Sequence, residues 1–320
     1  MLSKNDLFAL SLIDGVGAKS IKNIIDANIS CEDFDESTLS VHIKGSKKKQ
    51  AVESIINHFE DFQNKAELSL IELQNEGIEL IAFSDKEYPF LYSKIPNPPI
   101  FLYAKGNIDL LNHEKNIAII GTRQCSPFGK DVAKKTAKRF VEAGYNIVSG
   151  LALGIDTAAH EGALEAKGLT TAVLIDVHNV FPSENKDLAN EILDNDGLLI
   201  AENPPGTFAH GGLFVSRDRL QSGLSQGVFP IETDIKGGTM HTVKFAEEQN
   251  RLLFCPDLYS IKDYPRNFDK SNGIIKLIDE KRAIKYNSSN YKEVIEKIEK
   301  HTDQLLNKEE TTEEIVSTLF

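Results

Sequence analysis

A loop rich in small and hydroxyl-bearing residues follows the apolar run at 117–120 and carries a single arginine. Its groups able to contact an anion are Gly121, Thr122, Arg123, Ser126 and Gly129. Glycine lets a ligand approach the backbone closely, an arginine can hold a phosphate through two hydrogen bonds, and a following helix adds the positive end of its dipole. The pattern predicts a phosphate site, and the phosphate could belong to a free nucleotide, a substrate or a nucleic-acid backbone.

Later segments carry similar groups and strengthen this prediction. They contribute Ser149, Gly150 and Gly154, then Lys186, then Arg217 and Arg219, and lastly Lys236, Gly237, Gly238 and Thr239. The Ser-Gly turn is expected to leave its backbone amides open, with Asp156 capping the helix that follows. In a doubly wound sheet, loops at the carboxyl ends of the strands converge on one edge. We therefore expect a rim of arginines, lysines and amides that binds phosphate.

The elements that must position these loops can be read from the apolar pattern. Apolar runs occur at 117–121, 146–149, 171–176, 198–201, 227–232 and 252–255. Helical patterns lie between them at about 128–143, 155–167, 185–195, 216–222 and 239–249. Apolar strands that alternate with helices predict an α/β fold with a doubly wound, mostly parallel sheet covered on both faces.

The chain is expected to divide into three regions. Residues 1–70 are predicted to form a small helical domain, because two helical patterns flank the turn Gly15-Val16-Gly17, as in a helix-hairpin-helix. That hairpin could contact a phosphate or serve only in packing. Residues 76–287 contain the sheet, and residues 288–320 are predicted to form an acidic tail that is helical or disordered.

Composition excludes several classes of protein. Cys31, Cys125 and Cys255 lie far apart, which fits a reducing cytoplasm and gives no metal-ligand spacing. No apolar run approaches the roughly 20 residues of a membrane span, and the N-terminus lacks a secretory signal pattern. A cytoplasmic protein without a membrane partner is expected. The net charge of −12 argues against a protein coated in nucleic acid but permits a local basic groove.

The ordered motifs carry a resemblance to a known family. The segments concerned are GTRQCSPFGKD, GYNIVSGLALGIDTAAHEGAL, TAVLIDVHNVFPSENKDL, GLLIAENPPGT, FVSRDRLQSGLS and KGGTMHTVKFAEEQNRLLFCP. In order and spacing they resemble the motif series of the DNA-processing protein family DprA, also called Smf, over about residues 76–287. The resemblance implies an extended Rossmann-like domain, single-stranded DNA binding without strong sequence preference, a homodimer, and loading of the RecA recombinase in natural transformation.

The chain departs from the family pattern at a few positions. Arg217-Asp218-Arg219 has an acid where the family usually has asparagine, and Gly237-Gly238-Thr239 replaces Ser-Gly-Thr. The tail at 288–320 is too short and acidic for the C-terminal winged helix of many members. These differences predict a divergent member, whose setting could be transformation, defence or a mobile element.

An enzyme is the alternative interpretation. The same superfold resembles the nucleotide phosphoribohydrolases of the LOG group, which carry a proline before their glycines and a glutamate on the next helix turn. Here no proline precedes Gly237, and His241-Thr242-Val243 stands where the glutamate would be sought. Glu232 and Asp234 are expected to be structural or solvated, and His160 to be a packed core histidine. The sequence therefore favours a binding protein with no catalytic residue, cofactor or metal.

Aromatic residues near the predicted loops are candidates for base stacking. They are Phe128, Phe181 and Phe214. Base stacking on aromatic rings is common in proteins that bind single strands without reading sequence. We nevertheless expect these rings to pack beneath the loops.

Overall fold

The fold is described from a computed structural model, which covers residues 2–260, 264 and 268–317, with side chains through residue 304. The strands are β1 (Glu79–Ala82), β2 (Phe101–Gly106), β3 (Asn116–Ile120), β4 (Asn146–Ser149), β5 (Thr170–Leu174), β6 (Leu198–Ala201), β7 (Gly227–Pro230), β8 (Leu252–Pro256) and β9 (Ile284–Tyr286). The α-helices are α1 (Lys4–Ser11), α2 (Ala18–Asp26), α3 (Glu36–His42), α4 (Lys48–Asn75), α5 (Phe90–Ser93), α6 (Pro127–Glu142), α7 (Ile155–Glu165), α8 (Lys186–Asp194), α9 (Gly211–Gly223), α10 (Thr239–Glu248), α11 (Asn272–Asp279) and α12 (Tyr291–Ser317).

Nine strands of the described chain form one sheet in the order β1-β2-β6-β5-β4-β3-β7-β8-β9. The strands from β6 to β9 in this order are parallel, while β2 pairs antiparallel with both β6 and β1. The chain winds outward from β3 through β4, β5 and β6, and then returns to place β7 on the other side of β3. The predicted doubly wound, mostly parallel sheet is confirmed. The change of winding direction leaves a crevice between the loops that follow β3 and β7.

Helix α9 begins five residues before the predicted start. The sequence predicts a helix from about 216, whereas the structure starts it at Gly211. Glycine has low helix propensity, so the pair Gly211-Gly212 indicates a loop when only sequence is considered. The earlier start places Phe214 in the helix with Arg217, rather than in a strand-end loop.

The N-terminal helices share a core with the edge of the sheet. Leu7 and Leu10 of α1 are buried in one apolar cluster with Leu80 of β1 and Tyr103 of β2. The rings of Phe8 and Phe101 meet edge to face at 5.8 Å. The helical region predicted at 1–70 thus packs directly on the antiparallel end of the sheet.

The turn between α1 and α2 is packed against the start of α4. Gly15 has a φ of +91°, and a side chain there would lie 2.8 Å from Cβ of Lys47. The ammonium of Lys47 also contacts the carboxylate of Asp14 at 2.6 Å. This hairpin therefore has a packing role within the helical region.

The C-terminal helix begins within the core. Val294 and Ile298 of α12 are each 1% exposed and lie in one cluster with Phe229 and Phe254 of the sheet. The first turns of the region predicted as an acidic tail therefore cover one face of the sheet. No helix of the described residues is long and apolar enough to cross a membrane.

Candidate nucleic-acid interface

A cavity of about 490 Å³ opens at the carboxyl edge of the sheet, in the crevice between β3 and β7. Its lining includes several of the residues predicted to bind phosphate: Gly121, Thr122, Arg123, Arg217, Gly237, Gly238 and Thr239. Arg123 and Gly238 are more than a hundred residues apart in sequence, yet both line this cavity. The convergence of strand-end loops places them together.

Glu232 joins the loop after β7 to the loop after β3. The carboxylate is fully buried and accepts hydrogen bonds from the amide and hydroxyl of Ser126, at 2.8 and 2.5 Å, and from the hydroxyl of Tyr264 at 2.9 Å. The Ser126 hydroxyl in turn accepts from the amide of Gly129, as the N-cap of α6. A side chain at Gly129 would lie 2.4 Å from Glu232 Oε2. Ser126 and Gly129, predicted as phosphate contacts, are therefore engaged in holding the loop, and Glu232 has the structural role expected of it.

The loop after β4 is closed by Asp156, unlike the open turn predicted from sequence. The Asp156 carboxylate accepts from the amides of Gly150 at 3.1 Å and Ala152 at 3.4 Å. It therefore holds the loop before α7, in place of the capping role that the sequence predicts. Ser149 is fully buried and its hydroxyl donates to the carbonyl of Ile119 at 2.6 Å. Neither the hydroxyl of Ser149 nor the amide of Gly150 is open to a ligand.

Burial changes the ionisation of Asp156. Desolvation raises the pKa of this carboxyl to about 6, although the guanidinium of Arg217 acts in the opposite direction. A carboxyl group at the base of the cavity therefore titrates close to neutral pH.

Gly154 allows the loops after β3 and β4 to touch. It has a φ of +88°, which favours glycine, and a side chain there would lie 2.4 Å from the carbonyl oxygen of Thr122. A side chain at Gly121 would likewise lie 2.4 Å from Cγ1 of Ile155. Gly154 thus shapes the cavity wall without lining the cavity.

Arg217 forms the floor of the cavity. Its Nη1 donates to the carbonyls of Gly150 at 2.8 Å and Val173 at 2.7 Å, and its Nε lies 3.4 Å from Oδ1 of Asp218. The residue is 6% exposed. Burial raises the pKa of Asp218, and Arg217 partly offsets the effect. The guanidinium is thus largely neutralised by groups of the protein itself.

Arg219 points away from the cavity that Arg217 lines. Its two terminal nitrogens bind the two carboxylate oxygens of Glu202 at 2.8 and 2.5 Å, and its Nε donates to the carbonyl of Asn97 at 3.1 Å. Residues two apart on a helix face different directions. The structure therefore separates the two arginines that the sequence analysis grouped together.

Arg123 and Phe214 line the mouth of the cavity, and Phe181 lies beside Phe214 just outside that lining. The guanidinium carbon of Arg123 lies 5.0 Å from the centre of the Phe214 ring, within the range of a cation–π contact. The Phe181 ring lies 5.6 Å from that of Phe214 and is 51% exposed. Phe128, by contrast, packs at 6.1 Å from Tyr264 at the edge of the core. We call Arg123, Phe181 and Phe214 the mouth platform.

Two predicted lysines lie outside the cavity lining. Lys186 is exposed at the start of α8, and Lys236 is exposed in the loop after β7. The neighbour of Lys186, Asn185, donates to the carbonyl of Leu151 at 2.7 Å, which ties this helix start to the loop after β4. Both ammonium groups are accessible to a long ligand that leaves the cavity.

The cavity also contains residues that the sequence analysis did not select. Asp218, Gln221, His241 and Lys270 all line it. Asp218 and Gln221 follow Phe214 at helical spacing, which is a signal that a correct start for α9 would have provided. Lys270 lies 3.8 Å from Asp234 and follows a long segment after β8, so nothing in its sequence surroundings indicates the site. Within the described residues, no cluster of His, Cys, Asp or Glu could hold a metal ion.

Known proteins resemble this chain in sequence. The DNA processing protein DprA of Bacillus subtilis (strain 168) is 37% identical over 200 residues, which is 62% of this chain and 67% of that protein. The protein Smf of Escherichia coli (strain K12) is 32% identical over 199 residues, covering 62% of this chain and 53% of its own length. The aligned part thus spans about half to two thirds of these relatives.

Solved structures resemble it as well. DNA processing protein A from Streptococcus pneumoniae matches with a TM-score of 0.75 and 27% identity, over 91% of this chain and 97% of that one. DNA processing protein A from Helicobacter pylori, solved to study its single-stranded DNA binding mode, matches with a TM-score of 0.59 and 28% identity. The match covers 68% of this chain and 96% of that one. The family model of DNA recombination-mediator protein A matches residues 79–299, more than half of the chain, and the chain therefore belongs to that family.

Proposed function

We propose that the protein binds single-stranded DNA at the carboxyl edge of its sheet and performs no chemistry on it. The observation that carries this proposal is the mouth platform, in which the guanidinium of Arg123 lies over the ring of Phe214 and Phe181 extends the aromatic surface. In such a group the cation can contact the charged backbone of a single strand, and the accessible rings can stack on its unpaired bases.

The charge distribution supports a backbone bound at the mouth. Inside the cavity, Arg217 is paired with Asp218 and Lys270 with Asp234. Arg123 forms no ion pair with any residue that the structure describes. The exposed ammonium groups of Lys186 and Lys236 would extend the phosphate path on either side of it. Because these contacts do not reach base edges, the binding they provide is independent of sequence.

Family membership supports the same function and extends it. Relatives bear the name DNA processing protein, and the relative from H. pylori was studied for its binding of single-stranded DNA. We infer a role in DNA recombination, with a RecA-type recombinase as partner, a homodimeric assembly and a cytoplasmic location. Natural transformation is the setting that the family resemblance favours.

The site offers little support for a nucleotide-hydrolysing enzyme. Both carboxylate oxygens of Glu232 are engaged by Ser126, and one of them also by Tyr264. Pure protein incubated with nucleoside monophosphates should therefore release no free base. Release that disappears in an Arg123→Ala variant would favour the enzyme instead.

Fluorescence anisotropy with labelled oligothymidylate, over a range of salt concentrations, tests the binding proposal. Affinity should fall with salt, with a log–log slope of about −0.7 for each phosphate neutralised. Arg123→Ala should weaken binding to all sequences about equally and make the slope shallower. Arg139→Ala is the matched control, since Arg139 is exposed on α6 and forms an ion pair with Glu142. Unchanged affinity and slope in Arg123→Ala would show that the platform does not hold the strand.

A further inference from the structure

The inner part of the cavity is neutralised, unlike its mouth. Arg217 contacts Asp218 and two main-chain carbonyls, and Lys270 contacts Asp234. Asp156 adds a third carboxyl group to the same lining. A second phosphate would meet three acids and two cations here, so an uncharged part of a ligand fits this space better.

Hydrogen-bond acceptors without donors lie on the α9 wall of the cavity. Oδ1 of Asp218 accepts from Nε2 of Gln221 at 3.1 Å, while its Oδ2 accepts no hydrogen bond from the residues described. Gln221 is 2% exposed and lines the cavity, and its carbonyl oxygen has no donor within the described structure. Buried acceptors are normally satisfied. The Gln221 carbonyl oxygen therefore lacks an N–H or O–H group that an occupant could bring, and the Asp218 carboxylate, whose side chain is 16% exposed, offers a second acceptor on the same wall.

A flat ring can reach this wall from the mouth platform. Phe214 and Asp218 are four residues apart on α9 and hence neighbours on one helix face. The cavity volume of about 490 Å³ lies within the range of sites that hold small organic ligands. A nucleotide whose phosphate rests on Arg123 can therefore direct its base along Phe214 towards Asp218.

We propose that the inner cavity holds one base of the bound strand and that Asp218 selects guanine. This inference rests on the single-strand binding proposed above and adds a base preference to it. Guanine presents a ring N–H and an exocyclic amino group side by side, which suits a carboxylate that only accepts hydrogen bonds. Thymine flanks its N–H with two carbonyl oxygens, which the carboxylate repels. Adenine and cytosine offer one amino group beside a ring acceptor, and rank between the two.

Competition against labelled oligothymidylate tests this preference. The competitors are thymidylate 12-mers with a single central guanine, hypoxanthine, adenine or cytosine. The guanine strand should bind roughly fivefold to a hundredfold more tightly than the all-thymine strand. The strand with hypoxanthine, a base that lacks the amino group of guanine, should lose most of this gain in affinity over the all-thymine strand. This comparison needs no protein variant, so it does not depend on whether a substitution folds.

The role of Asp218 is tested by Asp218→Asn, with folding checked by circular dichroism. The ratio of guanine to thymine affinity should fall close to one, because an amide can place a donor towards the guanine donors. Asp61→Asn, which removes a distant exposed charge on α4, should leave the ratio as in the wild type. A ratio that survives Asp218→Asn overturns the assignment of Asp218.

The outcomes separate this inference from the proposed function. Equal affinity for the guanine and thymine strands overturns the base preference while leaving single-strand binding intact. If no oligonucleotide binds, the proposed function fails, and calorimetry with dGMP and dTMP then tests the base site alone. Preferential dGMP binding that is lost in Asp218→Asn would support the base site, whereas no dGMP binding would overturn it.

Discussion

The guanidinium of Arg217 occupies the space where a side chain on residue 150 would stand. A Cβ atom added to Gly150 would lie 1.9 Å from Nη1 of Arg217, the nitrogen that binds the carbonyls of Gly150 and Val173. The loop after β4 and the helix α9 therefore fit together only when residue 150 is glycine. This contact fixes the floor of the cavity.

Gly150→Ala should consequently destabilise the protein and weaken DNA binding. Arg217 would have to leave its two carbonyl acceptors, and hydrogen bonds to charged groups contribute about 1.5–3 kcal/mol each. We expect a loss on the order of 2–4 kcal/mol in the free energy of unfolding, measured by urea titration. Gly211→Ala, where nothing lies within 4 Å of the added Cβ, is the control and should be nearly neutral. Equal stability of the two variants would contradict this account of the floor.

Phe181→Ala should weaken single-strand binding with little effect on stability. The ring is 51% exposed and contacts Phe214, so its removal leaves no buried cavity. A base stacked on it would lose about 1–3 kcal/mol of binding free energy. Anisotropy with oligothymidylate measures the effect. Phe90→Ala removes a ring of similar exposure, 45%, on α5, where the ring lies beside Lys94 and outside the mouth platform, and should bind like the wild type. If both variants bind equally well, Phe181 is not a stacking surface.

Most of the fold was predictable from sequence, because buried parallel strands and their helices have distinct apolar patterns. β3, for example, is buried at every position and matches the apolar run at 117–121. The edge strands β1 and β2 lie outside the six apolar runs identified in the sequence, and the antiparallel pairing of β2 with β6 depends on contacts distant in sequence.

The candidate site was predictable only in part. Sequence placed Arg123 and Gly238 together because loops at one sheet edge must converge. It could not separate Arg217 from Arg219, since the Glu202 that pairs with Arg219 belongs to another loop. It also could not show that the carboxylate of Asp156 accepts a hydrogen bond from the amide of Gly150, because that bond depends on the conformation of the loop. Whether a polar group is free or already engaged is decided by tertiary contacts.

His160 should make stability fall as the solution becomes acidic. The ring is fully buried, its Nδ1 lies 2.7 Å from the hydroxyl of Thr170, and burial lowers its pKa from 6.5 to about 3. Below pH 6.5 the unfolded chain takes up a proton that the folded chain does not, so stability is lost towards lower pH by about 1.4 kcal/mol per pH unit.

The variant His160→Gln isolates this effect. Its free energy of unfolding should depend less steeply on pH below 6.5 than that of the wild type, whatever its absolute stability. His58→Gln, in which an exposed histidine is replaced, should keep the wild-type slope. Identical slopes for all of these proteins would show that His160 is not neutral in the folded state.

Asp156 should act on stability with the opposite sign. Its folded pKa of about 6 lies above the ordinary value of 3.8, so the folded chain holds the proton more tightly than the unfolded chain. Stability contributed by this group is present below pH 3.8 and is lost as the pH rises through 6.

In Asp156→Asn the side-chain oxygen can still accept from the amide of Gly150, and no charge is buried. The stability of the variant relative to the wild type should therefore be greater at about pH 7.5 than at about pH 4.5. The expected difference in the free energy of unfolding is on the order of 2 kcal/mol. Chemical unfolding at both pH values measures the difference. Asp131→Asn, at an exposed position on α6, is the control, and its stability relative to the wild type should be the same at both pH values. If the relative stability of Asp156→Asn also does not change with pH, residue 156 is not a buried, readily protonated carboxyl group.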